Sequence, residues 1–313
     1  MANMLVTGGA GFIGSHIASA LVERGDRVRV LDNLCTGFRQ NLAHIEADIE
    51  FMDGDASDLA AVALAVDNVE VVFHQAALAS VPLSVERPLD SNRACVTATV
   101  NILDQAQRAG VRRVVYAASS AAYGNRPTSS KRESDLPMPL SPYAAAKLAG
   151  EHYCHAFYHT HGLETVCLRY FNVFGPRQDP QSPYSAVIPI FISQILAGES
   201  PTIYGDGFQS RDFTYVENVV HGNLLAAEAA EAPGKTFNMA DGRTTTLLQL
   251  LAALRELLDQ EITPIHEPAR VGDVRDSLAD ITAARTTLGY EPQVDFEDGL
   301  ARSIDYYRRI AGA

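Results

Sequence analysis

Met4-Leu5-Val6-Thr7-Gly8-Gly9-Ala10-Gly11-Phe12-Ile13-Gly14 runs from a short apolar strand pattern, through spaced glycines, into a helical pattern over residues 12–24. Gly8 permits the tight turn, Gly11 lets backbone approach a pyrophosphate, and Gly14 lets the helix pack closely on the strand. The phosphates would then rest on N–H groups exposed at the helix N-terminus. A tight turn alone can carry such glycines, so their surroundings decide the reading. Asp32 ends the next strand pattern, Val28-Arg29-Val30-Leu31. It stands about 20 residues on, where a carboxylate accepts hydrogen bonds from ribose hydroxyls. A carboxylate there repels a 2′-phosphate, which favours NAD over NADP. Asp55 closes a further strand after Gly54 and is placed to reach an adenine amino group.

Outward from this loop, β-branched runs at 69–73, 114–116 and 165–168 read as buried strands. Helical patterns at 58–66, 92–108 and 143–161 lie between them. Such alternation implies a parallel sheet covered on both faces. After Phe174 prolines gather at 176, 180, 183, 189 and 201, so long loops are expected around short elements. Helical patterns return at 218–230, 247–258 and 296–310. The expectation is an α/β fold, a Rossmann-type doubly wound parallel sheet with a smaller α/β substrate-binding lobe. Residues 1–172, with about 212–240, would form the cofactor domain, and 173–211 with about 241–313 the lobe.

The 313 residues include 38 acidic side chains against 25 Lys and Arg, a formal charge of −13, and 47% are apolar. That apolar share supports a sizeable core and excludes general disorder. The acid excess argues against a nucleic-acid binder and against a polybasic membrane-surface protein. Cysteines 35, 95, 154 and 167 form no C-x-x-C and suit a reducing compartment better than a disulfide scaffold. No basic segment leads into a long apolar stretch, so no signal peptide is expected. The longest unbroken apolar segment, 59–66, is too short to span a bilayer. A cytoplasmic protein with neither nucleic-acid nor membrane partner is expected.

Tyr143 and Lys147 open the helical pattern after Ser141-Pro142, and their i, i+4 spacing sets phenol and ammonium on one face. A tyrosine with a pKa of about 10 is a poor base at neutral pH. A nearby lysine and a positive nicotinamide ring would favour the phenolate and make it competent. Ser119-Ser120, just after a strand, supplies candidate hydroxyl partners.

These motifs resemble the extended short-chain dehydrogenase/reductase family, and within it the nucleotide-sugar 4-epimerases. The likeness covers essentially the whole chain. It rests on the G-x-x-G-x-x-G loop, His74-Gln75-Ala76-Ala77, Ser119-Ser120-Ala121-Ala122-Tyr123-Gly124 and the Tyr143, Lys147 pair. It continues through Arg169-Tyr170-Phe171-Asn172-Val173, Gly175-Pro176-Arg177-Gln178-Asp179-Pro180, Arg211-Asp212-Phe213 and Arg270-Val271-Gly272-Asp273. The stretches around HQAALASVP and FGPRQDP are most like epimerases acting on UDP-N-acetylglucosamine and UDP-glucose. The chain departs from the family at Cys95, where Asn is usual. It departs also at Leu83, where close relatives often place Arg, and at Ala79, where they have Gly.

The resemblance implies that Tyr143 takes the proton from the sugar 4-hydroxyl, assisted by Ser119 with Ser120 beside it, while Lys147 holds the nicotinamide ribose. It implies NAD contacts from Gly8, Gly11, Phe12 and Ile13, then from Asp32, Asn33, Thr36 and Gly37. Asp55, Ala56, Gln75, Ala76, Ala77 and Tyr170 complete that set. For the UDP-sugar it implies Arg211 and Arg270 on the diphosphate, where guanidinium forks suit phosphate oxygens. Asp273 would hold the UDP ribose, Tyr204 the uracil, and Ser80, Asn172, Ala186 and Val187 the remainder. A homodimer is implied as well.

Dehydratases of the family carry an Asp-Glu pair directly after the catalytic hydroxyl residue, and glucuronate decarboxylases a Glu at the second position. Ser120 and Ala121 stand there instead. Epimerisation at carbon 4 needs no such acid, which favours it. Ser277, four residues after Asp273, occupies the position where glucose-restricted epimerases resemble one another in having tyrosine. A small side chain leaves space for a 2-N-acetyl group, so UDP-N-acetylglucosamine/UDP-N-acetylgalactosamine is expected, with UDP-glucose/UDP-galactose beside it. The alternatives are a UDP-uronate 4-epimerase or decarboxylase and, remotely, a non-catalytic NAD-binding sensor. His152, His155, His159 and His161 crowd one helix near Glu151, a spacing that zinc can use. Packing and surface roles account for them, and no metal is expected.

Overall fold

A computed structural model describes residues 2–126, 128, 130–180, 186–269 and 275–311. The β-branched runs form β1 (Asn3–Thr7), β2 (Arg27–Asp32), β3 (Ile49–Asp53), β4 (Val71–His74), β5 (Arg113–Ser119) and β6 (Glu164–Tyr170). Short strands follow: β7 (Val173–Phe174), β8 (Thr202–Tyr204), β9 (Ser210–Arg211) and β10 (Thr214–Tyr215). After them come β11 (Lys235–Met239), β12 (Thr245–Thr246) and β13 (Ile265–Glu267). Seven strands make one parallel sheet in the order β11-β6-β5-β4-β1-β2-β3. That is a Rossmann arrangement extended by one edge strand, with the strand order reversing between β1 and β4.

The helices are α1 (Phe12–Glu23), α2 (Leu59–Ala65), α3 (Val81–Glu86), α4 (Pro88–Asn92), α5 (Ala98–Ala109) and α6 (Pro142–His161). In the later chain they are α7 (Val187–Leu196), α8 (Val216–Glu228), α9 (Leu247–Leu258), α10 (Thr282–Leu288) and α11 (Phe296–Ala311). Local chemistry sets several ends. Ser141 caps α6 by accepting from the Ala144 N–H, Pro142 sits where no donor is needed, and Gly162 ends the helix in the left-handed conformation. Thr246 and Gln249 close a reciprocal capping box on α9.

Side-chain alternation along β1 divides the core. Met4 and Val6 join Ile17, Leu21, Val30 and Phe73 on one face, while Leu5 joins Val72, Ile102, Leu103, Val114 and Tyr116 on the other. A third apolar cluster gathers Phe174, Ile192, Phe213, Tyr215, Leu250, Leu254 and Leu300. Phe12 and Ile13 pack against this third cluster as well, so the first turn of α1 lies where the sheet layer meets the later lobe.

Three expectations need correction. The helix expected at 92–108 is interrupted: α4 ends at Asn92, a π-helical turn spans Arg93–Thr97, and α5 follows. Residues 187–196 were expected among loops but form α7, whose Pro189 lies in the first turn, where backbone N–H groups have no helical partner. The sheet edge β11 had no expected counterpart; it exists by pairing with β6. Among the described residues no helix is long and apolar enough to cross a membrane.

Candidate active site at the strand-order reversal

The crevice opens where β1 and β4 part. Gly8 takes φ +67°, and its N–H donates to the Leu31 carbonyl at 2.8 Å. A Cβ on Gly8 would stand 2.7 Å from the Ala76 nitrogen, and one on Gly14 would overlap the Gly8 carbonyl oxygen. The turn therefore admits glycine alone at both places. Gly11 begins α1 with no side-chain cap, which leaves the first-turn N–H groups to whatever occupies the crevice.

Asp32 ends β2 buried. Its Oδ2 accepts from the Ala10 N–H at 2.9 Å and its Oδ1 from the Leu34 N–H at 2.8 Å. Burial pushes its carboxyl above the ordinary value, against the pull of those two donors. Asp55 behaves oppositely. Burial would raise it, but hydrogen bonds from Ser57 and the Arg93 guanidinium outweigh that and hold it low.

A cleft of about 650 Å³ joins these features to the Tyr143 side of the molecule. Gly8, Gly11, Phe12, Ile13, Asp32, Asn33, Thr36 and Gly37 line it, as do Asp55, Ala56, Gln75, Ala76, Ala77, Tyr143, Lys147 and Tyr170. Ser80, the cap of α3, lines it too. Ser119 ends β5, its Oγ accepts from the Ala121 N–H at 3.2 Å, and it stands outside the residues that line the cleft. Ser120 starts the following turn and does not line the cleft. Burial pushes the Tyr143 phenol well above the ordinary tyrosine value, the Cys95 thiol adds to this, and the Ser119 hydroxyl pulls it partly back. Burial lowers the Lys147 ammonium, whose Nζ donates to the Ala117 carbonyl at 2.7 Å. The Tyr170 hydroxyl donates to Gln75 Oε1 at 3.1 Å and accepts from Asn223 Nδ2 at 2.9 Å, which fixes its ring beside the cleft.

The residues expected on the later lobe fall into groups. Arg211 Nη1 donates to the Ser210 and Arg275 carbonyls, Ser277 N–H donates to the Ser210 carbonyl, and Gln209 donates to the Tyr204 carbonyl. Tyr204, Arg211 and Ser277 are gathered by these bonds around 209–211. Asn172 lies between β6 and β7, with its carbonyl accepting from the Thr214 N–H, while Ala186 and Val187 begin α7. None of these lines the described cleft. Arg270 and Asp273 lie outside the described residues. His155 hydrogen-bonds Thr236, and Glu151 is engaged by Arg169. Among the described residues no group of three His, Cys, Asp or Glu side chains could hold a metal.

Several cleft residues escaped the sequence reading, among them Cys35, Phe38, Ala117, Ala118 and Asp179. The Ala117-Ala118 pair had a usable signal, since two small side chains before Ser119 at a strand end leave room above the sheet.

The NAD dependent epimerase/dehydratase family matches residues 4–240. The chain belongs to this family. Among solved structures it is similar to a UDP-N-acetylglucosamine 4-epimerase of Methanobrevibacter ruminantium M1, solved with UDP-N-acetylmuramic acid. That likeness has 40% identity, covers 100% of this chain and 99% of that one, and gives a TM-score of 0.95. It is similar to the UDP-glucose 4-epimerase of Thermotoga maritima at 38% identity, covering 99% of each chain, with a TM-score of 0.94. A UDP-glucuronic acid 4-epimerase of Bacillus cereus, solved with UDP-glucuronic acid and NAD, matches at 30% identity. There the coverage is 98% of this chain and 99% of that one, and the TM-score 0.91.

This epimerase/dehydratase-family chain is an enzyme, and NAD is its cofactor. The crevice fits the dinucleotide on its own geometry. Gly8 and Gly14 keep open a cradle that a Cβ would fill, α1 presents uncapped N–H groups, and Asp32 stands at the end of β2.

Proposed function

We propose that the chain interconverts the carbon-4 epimers of a UDP-hexose, acting on UDP-N-acetylglucosamine/UDP-N-acetylgalactosamine and also on UDP-glucose/UDP-galactose. The observation that carries this reading is that Tyr143 and Lys147 line the same cleft as the glycine turn, on a helix packed against β5, which ends at Ser119. Bound NAD supplies a reversible hydride acceptor. Tyr143 removes the proton from the 4-hydroxyl oxygen and returns it to the same oxygen after the sugar has turned, so no net proton is consumed. Ser119 steadies that oxygen and the phenol together. Lys147 holds the nicotinamide ribose, and its charge, once drawn from Ala117, favours the phenolate. With Ser120 and Ala121 after Ser119, no acid stands ready to expel a hydroxyl, which speaks for epimerisation over dehydration.

In this reading Asp32 holds the adenosine ribose and the first turn of α1 the pyrophosphate. Arg211, Arg270 and Asp273 grip the UDP, with Tyr204 at the uracil and Ser277 beside the sugar 2-substituent. Residues 1–172 and about 212–240 then form the cofactor domain, the rest the UDP-sugar lobe. Arg177, the cation of the 175–180 segment, donates to Ser19 Oγ at 3.1 Å and meets His44 at 3.2 Å. That engagement argues against its serving as a uronate anchor. A homodimer belongs to the proposal; Val85, Leu89 and Tyr153 are exposed apolar side chains on α3, α4 and α6, and light scattering reads the mass.

The test is a panel of UDP-sugars followed by NMR without added NAD. Product differing only at carbon 4 supports the reading. Turnover of UDP-uronates alone, or loss of carbon dioxide, overturns it. Tyr143→Phe should abolish most turnover while the UDP-sugar still binds; unchanged ligand responses and no wild-type turnover would instead mark a sensor.

A further inference from the structure

Tyr143 is the second residue of α6, so its backbone N–H has no partner within the helix. Pro142 has no N–H to satisfy, and Ala144 is served by the Ser141 cap. The Tyr143 N–H is served from elsewhere: it donates at 3.1 Å to the hydroxyl of Ser84, 59 residues away on α3. Ser84 is fully buried, and its own hydroxyl proton goes to the Val81 carbonyl one turn back. The oxygen is therefore turned with its lone pairs toward Tyr143, and no rotation of the side chain is free.

We propose that Ser84 is a positioning residue for the proton-transfer step, holding the Tyr143 main chain through the Tyr143 N–H so that the phenol stays fixed in the cleft. The same short helix begins at Ser80, which accepts from the Leu83 N–H, and Ser80 and Leu83 both line the cleft. Helix α3 thus joins the cleft wall to the first turn of α6 through one hydroxyl. Motif reading passed over Ser84, because its partner is a backbone group and the contact spans two helices.

This inference rests on Tyr143 as the residue that moves the 4-hydroxyl proton, and one set of assays separates the two. Wild type, Ser84→Ala, Ser84→Thr and Ser91→Ala are compared for kcat, KM and NAD retained per subunit. Ser91 is equally buried but its hydroxyl has no partner among the described residues, so it reports what losing a buried serine hydroxyl does by itself. Ser84→Ala should lower kcat about 10- to 100-fold, the scale on which misplaced reacting groups act. KM and bound NAD should stay near wild type, Ser84→Thr should recover most of the loss by restoring the acceptor, and Ser91→Ala should be silent. If Ser84→Ala yields no folded protein, Ser84→Cys carries the same comparison with a weaker acceptor of similar size. A kcat unchanged in the folded variant, or a loss matched by Ser91→Ala, overturns the positioning role. Wild type that leaves carbon 4 of every UDP-sugar untouched overturns the functional reading instead.

Discussion

Arg169 of β6 and Glu151 of α6 form a forked ion pair, with Nη2 to Oε2 at 2.7 Å and Nε to Oε1 at 3.0 Å, their side chains only 5% and 4% exposed. The guanidinium also lies 4.6 Å from the centre of the Tyr123 ring. Glu151 is one turn beyond Lys147, so the pair clamps α6 to the sheet. Removing one partner leaves a buried charge uncompensated, which costs about 3–5 kcal/mol. Glu151→Gln should therefore lower the urea midpoint strongly, and replacing both residues by methionine should restore much of it. A midpoint indifferent to Glu151→Gln would show that the pair does not hold the helix.

The glycine turn makes a second prediction. Alanine at residue 8 would meet the Ala76 backbone and occupy a left-handed conformation that costs about 1–2 kcal/mol. Alanine at residue 14 would drive into the Gly8 carbonyl. Both variants should release most of their NAD on desalting, read from the cofactor freed by denaturation. Full retention by either would contradict the cradle.

Burial sets a pH dependence. His74 is held at about 3 by burial and by the Lys147 charge, and His16 at about 4 by burial and Arg177. Both are neutral in the native state, while the unfolded histidines titrate near 6.5. Below that value the unfolded chain binds protons that the native state refuses. The stability these groups confer is thus complete above pH 6.5 and falls as pH drops toward 4 for His16 and 3 for His74, each by up to about 1.4 kcal/mol per pH unit. Urea melts at pH 7.5, 6 and 5 read the slope, and His16→Gln should flatten it.

The proposed reading places sugar choice at Ser277. Ser277→Tyr should suppress turnover of UDP-N-acetylglucosamine by about 10- to 200-fold, the range of a poorly fitting pocket, and spare UDP-glucose. Parallel kcat/KM measurements on the two substrates check it. Equal loss on both would remove Ser277 from the specificity argument.

The glycine turn, Asp32 and the Tyr143, Lys147 pair were legible because each is a short-range pattern: a turn, a strand end and one helical face encode themselves within a few residues. The sheet strands with β-branched runs were legible for the same reason. The interruption at Arg93–Thr97 was not, since nothing in Arg-Ala-Cys-Val-Thr forbids a continuous helix. Helix α7 was hidden by β-branched residues and a proline, and it holds because Ile188, Phe191, Ile192 and Ile195 bury themselves in the third cluster.

By itself the sequence determined the parallel α/β architecture, the glycine turn and many of the residues that line the cleft, because local geometry and residue chemistry suffice for these. Only the tertiary structure decided that Lys147 turns to the Ala117 carbonyl, that β11 completes the sheet, and that Ser84 serves the Tyr143 N–H. Each is a contact between segments far apart in the chain, fixed by where helices and strands pack, and no pattern confined to either segment specifies it.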